Sequence, residues 1–138
     1  MDSASIKECM NKSYANIYPD MPVVEASSCL IKQELLGSPV TDKVGNLLGW
    51  ISEHECLKAA LQVMYYNQRV ATVQDIMRTD VLTVSLEDDV LTLAQQMLEA
   101  KPKIYPVVDG GNKVLGVISR RHLLNMLDQK LVELSQRT

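Results

Sequence analysis

Two four-residue segments combine side chains that could bind an anion or a hydroxyl-bearing ligand where a helix begins. They are Ser52-Glu53-His54-Glu55 and Ser119-Arg120-Arg121-His122. Each serine can cap the helix that follows it, and the free N–H groups of a helix start favour phosphate. Glu55 offers a carboxylate that accepts hydroxyl hydrogen bonds, whereas His122 donates or accepts one. Both segments are therefore candidate ligand-binding sites.

The arginines of the second segment have two interpretations. Cations at a helix start are unfavourable unless an anion is present, so Arg120 and Arg121 could attract a phosphate. They could equally be solvated side chains on an exposed helix. Both interpretations stay open at this point.

The other reactive residues form no catalytic or metal-binding pattern. There is no Ser-His-Asp order with a nucleophile elbow and no G-x-x-x-x-G-K segment. The two histidines, His54 and His122, lack a second ligand at metal spacing, and Cys9, Cys29 and Cys56 form no C-x-x-C pair. We predict a protein that is not an enzyme and holds neither a metal nor a resident cofactor.

The elements that must position these residues occur twice, at a constant offset of 67 residues. Pro39-Val40-Thr41-Asp42 matches Pro106-Val107-Val108-Asp109, and Leu48-Gly49-Trp50-Ile51-Ser52 matches Leu115-Gly116-Val117-Ile118-Ser119. A fixed period indicates a duplicated unit whose copies bury their apolar faces on each other. We divide the chain into copy one, residues 1–68, and copy two, residues 69–138, joined by a linker at 69–72 that is too short to separate them.

Each copy is predicted to contain the same elements in the same order. A short helical turn, Ile6–Met10 or Val73–Met77, precedes a short strand, Ala15–Tyr18 or Val81–Val84. A helix then ends at Gly37 in copy one and at Lys101-Pro102 in copy two, capped in copy two by Asp88 or Asp89. Two strands joined by a turn follow, and the last helices span Glu53–Gln68 and Arg120–Gln136. Ser52 with Glu55, and Thr72 with Asp75, fit capping boxes.

Composition narrows the class of protein. Apolar residues make up 46% of the 138 residues, enough for a sizeable core, and the net charge is −3 with one Trp and no Phe. A basic stripe and aromatic stacking platforms are therefore lacking, and we expect no nucleic-acid partner. No apolar run approaches the length that spans a bilayer, and no secretory signal is recognisable, so we expect no membrane partner and a reducing, cytoplasmic location.

The order of these motifs resembles the cystathionine-β-synthase (CBS) domain, here as a tandem pair called a Bateman module. The resemblance spans roughly residues 5–130 and is carried by the two P-V-x-D strands and by the two h-G-x-I-S strands with their helix starts. It implies an α/β (α+β) fold of two β-α-β-β-α repeats that pack through their sheets about a pseudo-two-fold axis, with two equivalent clefts between them.

The resemblance further implies a regulatory module whose clefts bind an adenosine-containing ligand: AMP, ADP, ATP or S-adenosylmethionine. In the family an acid near the helix start binds the ribose, and Glu55 and His122 occupy that position here. The implied ligand-binding residues are Thr79, Val81, Ile104, Tyr105, Pro106, Ser119, Arg120 and His122 in copy two, with Ser38, Pro39, Ser52 and Glu55 in copy one. Trp50 either fills the core or an interface, or closes the copy-one cleft.

Two hypotheses about the role of the chain follow. In one, an adenine nucleotide or related adenosyl ligand changes the geometry of the pair for an unidentified regulated protein. In the other, the clefts are vacant and the chain is a dimerising scaffold or adaptor. Both include a homodimer through the last helix of each copy, with Leu124, Leu127, Leu131 and Leu134 from copy two and Leu57, Leu61 and Met64 from copy one. The copy-two stripe could instead pack within one molecule.

Overall fold

The computed structural model describes residues 5–67, 69, 71–99 and 103–136. The elements of copy one are α1 (Ile6–Cys9), α2 (Val23–Lys32), β1 (Gly37–Thr41), β2 (Leu47–Ser52) and α3 (Glu53–Tyr66). Those of copy two are α4 (Val73–Ile76), α5 (Val90–Met97), β3 (Ile104–Val108), β4 (Val114–Ser119) and α6 (Arg120–Gln136). The α/β repeat predicted from the sequence is confirmed. The division at residue 68 stays a prediction.

Each copy contains one antiparallel hairpin, and the two hairpins meet at their turns. Strand β1 pairs with β2, and β3 pairs with β4, with an irregularity at the same place in both, after Val40 and after Val107. Gly45 (φ 94°) and Asn112 (φ 67°) supply the left-handed residues that the two turns need. The turns are joined because Leu47 N–H donates to Asn112 O at 3.0 Å and Val114 N–H donates to Gly45 O at 2.9 Å.

The short segments predicted as first strands are irregular. Each contributes one bridging residue, Ile17 beside Val40 and Val84 beside Val107. Val84 is 2% exposed whereas Leu82 is 54% exposed, so these two residues do not share a buried face as they would in a regular strand. The backbone hydrogen bonds explain the difference, because within this segment only Val84 pairs with β3, and residues before it lack the ladder that would impose strand periodicity.

Helix α2 ends earlier than predicted. Its last residue is Lys32, and Gly37 is the first residue of β1 rather than a helix cap. The helix closes at Glu34 (φ 54°): Leu35 N–H donates to Leu30 O at 2.9 Å and Glu34 N–H donates to Ile31 O at 3.2 Å. This is a Schellman motif in which glutamate occupies the left-handed position usually held by glycine.

The predicted starts of α4 and α5 agree with the structure, whereas the predicted ends of α3 and α5 do not. Asp89 caps α5 by accepting from Thr92 N–H at 3.0 Å, and Asp75 accepts from Thr72 N–H at 3.1 Å at the start of α4. The helices end earlier than predicted: α5 ends at Met97 and α3 ends at Tyr66, where Asn67 adopts the left-handed conformation (φ 51°). The predicted stops themselves, Lys101-Pro102 and Gln68, lie outside the described residues.

The first helical turn of each copy packs in the core of the other copy. Ile6 and Cys9 of α1 lie in a core formed by copy-two residues such as Met97 and Ile118. Val73 of α4 lies in the copy-one core with residues such as Ile51. The segment after each turn then pairs with the far hairpin, Asn11 with Val117 and Arg78 with Trp50. Strand β1 also lies against β3 and β4, so the two halves are joined through their sheets.

These crossings explain the glycine of the h-G-x-I-S motif. A Cβ on Gly116 would lie 2.6 Å from Asn11 O, and a Cβ on Gly49 would lie 2.6 Å from Arg78 O. Real Cβ atoms do not approach backbone that closely, so each glycine lets the other copy's segment cross its strand.

Among the described residues, no helix is both long enough and apolar enough to cross a membrane.

Candidate functional site

A cavity of about 890 Å³ lies at the start of α6, in copy two. Four of the predicted ligand-binding residues line it: Ile104, Ser119, Arg120 and His122. Val117 of β4, Lys103 just before β3 and apolar side chains of α5 and α6 also line it, and Asn11 and Glu34–Leu36 of copy one form part of the boundary. The volume falls in the range of small-molecule sites, about 300–1,000 Å³.

Ser119 and His122 form a reciprocal cap at the start of α6. His122 N–H donates to Ser119 Oγ at 3.2 Å, and Ser119 N–H donates to His122 Nδ1 at 3.0 Å. The imidazole therefore occupies the place of the glutamate in a capping box. Since Nδ1 accepts, the neutral ring carries its proton on Nε2. Burial lowers the pKa of His122 below its ordinary value of 6.5.

Three cations line this cavity without partners. Lys103, Arg120 and Arg121 make no ion pair and no side-chain hydrogen bond with any residue that the structure describes. The backbone holds two of them together, because Arg120 N–H donates to Lys103 O at 3.0 Å. Among the residues described along the wall, Glu34 is the only acid.

The equivalent helix start in copy one is arranged differently. Ser52 occupies the cap position, yet its hydroxyl bonds no backbone N–H and instead donates to Glu55 Oε2 at 2.6 Å. The capping box predicted for Ser52 and Glu55 is therefore wrong, because the carboxylate binds the serine hydroxyl rather than the backbone. The second carboxylate oxygen, Oε1, is buried and has no hydrogen-bond partner in the described residues.

Trp50 fills the copy-one position that is open in copy two. Its side chain is 7% exposed. A Cβ on Gly37 would lie 2.7 Å from the Trp50 Nε1, so the ring packs directly against this glycine. At the offset of 67 residues, Gly37 and Trp50 correspond to Ile104 and Val117, which line the large cavity. Of the two interpretations of Trp50, the geometry favours a ring that closes the copy-one cleft.

The remaining predicted site residues do not line the large cavity. Tyr105 and Pro106 are buried in the copy-two core, and burial raises the pKa of the Tyr105 hydroxyl. Ser38 is fully buried beside Pro39, and its hydroxyl lies 3.2 Å from Ala15 O. Thr79 and Val81 follow Arg78, whose backbone pairs with Trp50 of copy one, so both lie away from the copy-two cavity.

Sequence reasoning missed the residues that copy one contributes to the copy-two cavity. Asn11 pairs with Val117 through both backbone hydrogen bonds, at 2.7 and 2.9 Å, and so brings the segment after α1 to the cavity. Glu34 reaches it through its left-handed turn. The offset of 67 residues relates Asn11 to Arg78, but nothing in the sequence reveals that these segments exchange.

A second cavity of about 820 Å³ lies between α2 and α3. Its wall includes Leu30, Ile31 and Leu57 together with Glu34 and Glu53, and it contains none of the predicted copy-one site residues. At the offset of 67 residues, nine of its eleven lining residues correspond to residues that line the copy-two cavity, so this groove is the copy-one counterpart of that cavity. It lacks the part that Ile104, Val117, Ser119 and His122 line in copy two.

The cysteines and acids suggest no other chemistry. Cys9 and Cys56 are buried free thiols, and burial followed by a neighbouring glutamate raises the pKa of each thiol, which makes both poor nucleophiles. Within the described ranges, no group of three or more His, Cys, Asp or Glu side chains could hold a metal ion.

Two α/β repeats that exchange their first helical turns, with a cavity at a serine-led helix start, define a tandem-repeat module. The family model of the CBS domain matches residues 6–62 and again residues 73–129. The chain belongs to the CBS-domain family and contains two copies of the domain. The family and fold predicted from the sequence are confirmed.

Known proteins share this architecture. The CBS domain pair of protein MJ0100, solved with 5′-methylthioadenosine and S-adenosylmethionine, is 25% identical with a TM-score of 0.78, and the alignment covers 93% of this chain and 98% of that one. CBSX2 in complex with AMP is 24% identical with a TM-score of 0.75, covering 92% and 93%, and shows the shared fold. An L-aspartate semialdehyde sulfurtransferase of Methanocaldococcus jannaschii is 26% identical over 91% of this chain, which spans 23% of that protein.

Proposed function

We propose that this chain is a regulatory module that binds an adenosine-containing ligand in the copy-two cavity. The observation that supports it most is the cavity itself, which joins Ile104, Ser119, Arg120 and His122 at one helix start. The MJ0100 pair, which contains two adenosyl ligands, has the same fold and a similar sequence. Apolar walls suit a flat base, and the N–H groups of a helix start suit a phosphate.

Binding would regulate only if the ligand prefers one geometry of the pair. The cavity is lined by Asn11 and Glu34–Leu36 of copy one and by α6 of copy two, so a ligand there contacts both halves. A ligand that bridges two halves can favour one arrangement over another, which is the requirement for a population shift. We propose that a separate protein or domain reads this change and that the chain itself performs no catalysis. Its unpaired thiols suit a reducing, cytoplasmic location.

Thermal unfolding with AMP, ATP, 5′-methylthioadenosine and S-adenosylmethionine at millimolar concentration tests the proposal. A ligand at 100 times its dissociation constant adds about 2.7 kcal/mol, which raises the midpoint by roughly 5 to 10 °C. The double variant I104G/V117W copies the Gly37–Trp50 pair of copy one into copy two and should abolish the shift. If no adenosyl ligand moves the wild-type midpoint, the proposal is refuted.

The alternative, a ligand-free dimerising scaffold, rests on a different observation. The last helices expose apolar side chains: Leu57 is 62% exposed, Met64 80%, Leu124 67% and Leu131 63%. Leu127 is half-buried and, with Leu124, lines the copy-two cavity. We propose a homodimer through these helices under either function, because such a stripe on α3 and α6 is costly to leave in water.

A further inference from the structure

The two equivalent helix starts carry opposite charge. The first turn of α3 contains Glu53 and Glu55, whereas that of α6 contains no acid and begins with Arg120 and Arg121. Lys103 adds a third cation to the copy-two wall, and Glu34 is the only acid among the described residues that line it. Since the whole chain has a net charge of −3, the cavity concentrates positive charge on an otherwise acidic molecule.

None of the residues that the structure describes forms an ion pair with these three exposed cations. Lys103, Arg120 and Arg121 also make no side-chain hydrogen bond within the described ranges. His122 cannot supply negative charge, because its Nδ1 is occupied by Ser119 N–H and its other nitrogen is a donor. The hydrogen-bonding groups that converge here are thus mostly donors, a set that matches phosphate oxygens.

From this arrangement we infer that the copy-two cavity selects adenosine compounds with two or more phosphoryl groups and rejects the sulfonium cation of S-adenosylmethionine. The inference rests on the proposed function and specifies its ligand class. The backbone hydrogen bond from Arg120 N–H to Lys103 O holds two of the cations close together, so each can pair with a separate phosphoryl group. Arginine pairs with phosphate through two parallel hydrogen bonds. A sulfonium in the same cavity would meet like charge at short range.

The second and further phosphoryl groups could belong to a polyphosphate chain or to a phosphorylated ribose. Calorimetric titration of the wild-type chain distinguishes these sources, because ATP contains a polyphosphate chain and adenosine 3′,5′-bisphosphate contains a phosphorylated ribose. The affinity of each is compared with the affinities of AMP, 5′-methylthioadenosine, S-adenosylmethionine and inorganic triphosphate. We expect ATP, the bisphosphate, or both to bind at least about tenfold more tightly than AMP, since a hydrogen bond to a charged group is worth about a factor of ten. S-adenosylmethionine should bind more weakly than neutral 5′-methylthioadenosine.

The variant R120Q/R121Q should lower the affinity for the preferred compound to that for AMP and should leave 5′-methylthioadenosine unchanged. The matched control K58Q/K130Q removes the same charge from α3 and α6 outside the cavity and should bind like wild type. Raising the salt concentration should weaken the preferred compound more than 5′-methylthioadenosine, because exposed charges are screened. All four substituted side chains lie on the surface of helices, and unliganded melting confirms that each variant folds.

The outcomes separate the inference from the proposed function. If S-adenosylmethionine binds as tightly as ATP and the bisphosphate, the inference fails while the proposed function stands. If inorganic triphosphate binds with the same arginine dependence and adenosine adds no affinity, the phosphate class stands and the proposed function fails. If none of the compounds binds, both are overturned.

Discussion

At the scale of single residues, one replacement decides the chemistry of each helix start. A histidine at the third position of α6 completes the cap by accepting from Ser119 N–H, and it leaves the neighbouring arginines without a counter-charge. A glutamate at the same position of α3 binds the Ser52 hydroxyl instead. The two copies share an offset and a fold, yet their candidate sites have opposite chemistry.

The His122 cap should make stability depend on pH. Burial lowers the pKa of His122 in the folded state below its ordinary value of 6.5. Between that lowered pKa and about pH 6.5, the unfolded chain therefore binds more protons than the folded chain. The contribution of His122 is fully present above about pH 6.5 and is lost as the pH falls through its lowered folded pKa. We expect the free energy of unfolding, measured with urea, to fall between pH 7.5 and 5.5.

The variant H122Q keeps a capping side chain that does not titrate, so its free energy of unfolding should fall less over the same pH range. The exposed His54 provides the control, since H54Q removes an imidazole from the equivalent helix and should retain the wild-type slope. Equal slopes for wild type and H122Q would show that the cap does not sense pH.

Trp50 should limit the chain to one ligand per molecule. Its ring lies against Gly37 where copy two has Ile104 and Val117. The double variant G37I/W50V copies the open arrangement into copy one, and we expect the stoichiometry measured by calorimetry to rise from one to two. The wild-type chain binding two equivalents would contradict this prediction, as would a folded variant that still binds one.

At the scale of elements, the exchange of the first helical turns determines which residues surround the cavity. The segment after α1 crosses β4 and the segment after α4 crosses β2, each by a pair of backbone hydrogen bonds. A cavity in copy two is thereby bounded by Asn11 of copy one. This is also why the nearest neighbour of each motif glycine is a backbone oxygen of the crossing segment, with a methionine side chain beside it.

The crossings predict a large cost for a methyl group at either motif glycine. G116A places a Cβ 2.6 Å from Asn11 O, and G49A places one 2.6 Å from Arg78 O. Because backbone cannot move aside cheaply, each should lower the free energy of unfolding by about 1–3 kcal/mol. G110A is the control, since nothing lies within 4 Å of its Cβ, and it should change stability by less than about 0.5 kcal/mol. If chemical denaturation shows that G110A lowers the free energy of unfolding as much as G116A and G49A do, the crossing geometry is refuted.

At the scale of the whole molecule, the exposed apolar stripe on α6 favours self-association. Leu131 is 63% exposed and Leu134 is 49% exposed, on the helix that also borders the cavity. A ligand that shifts α6 relative to copy one would therefore move the proposed dimer interface. Ligand binding and assembly would be linked through this one helix.

The dimer is tested by light scattering at micromolar concentration. The wild-type chain should scatter as twice the 15.4 kDa of one chain. L131E/L134E places two like charges in each half of the interface and should give a monomer with an unchanged core. L82E, on an exposed leucine outside α3 and α6, should stay dimeric. A monomeric wild type would rule out the assembly.

The sequence by itself determined the repeated elements, their family and the place of the helix starts. Hairpin turns, caps and the last helix of copy two depend on neighbours within a few residues, so the Asp-Gly-Gly-Asn turn, Asp89 and the bounds Arg120–Gln136 could be predicted. The end of α2 could not, because a glutamate adopts the left-handed conformation that is usually glycine's, and Leu35 continues into the core.

Only the tertiary structure decided which residues meet. The exchange of α1 and α4 brings Asn11 to the copy-two cavity and keeps Thr79 and Val81 away from it, and it depends on contacts far apart in the chain. Whether Trp50 fills the copy-one cleft depends on the absent side chain of Gly37 across the hairpin. Local preferences determine helices and strands over a few residues. A cavity is the space left between packed elements, so it depends on side-chain volumes and on pairing between segments far apart in the chain.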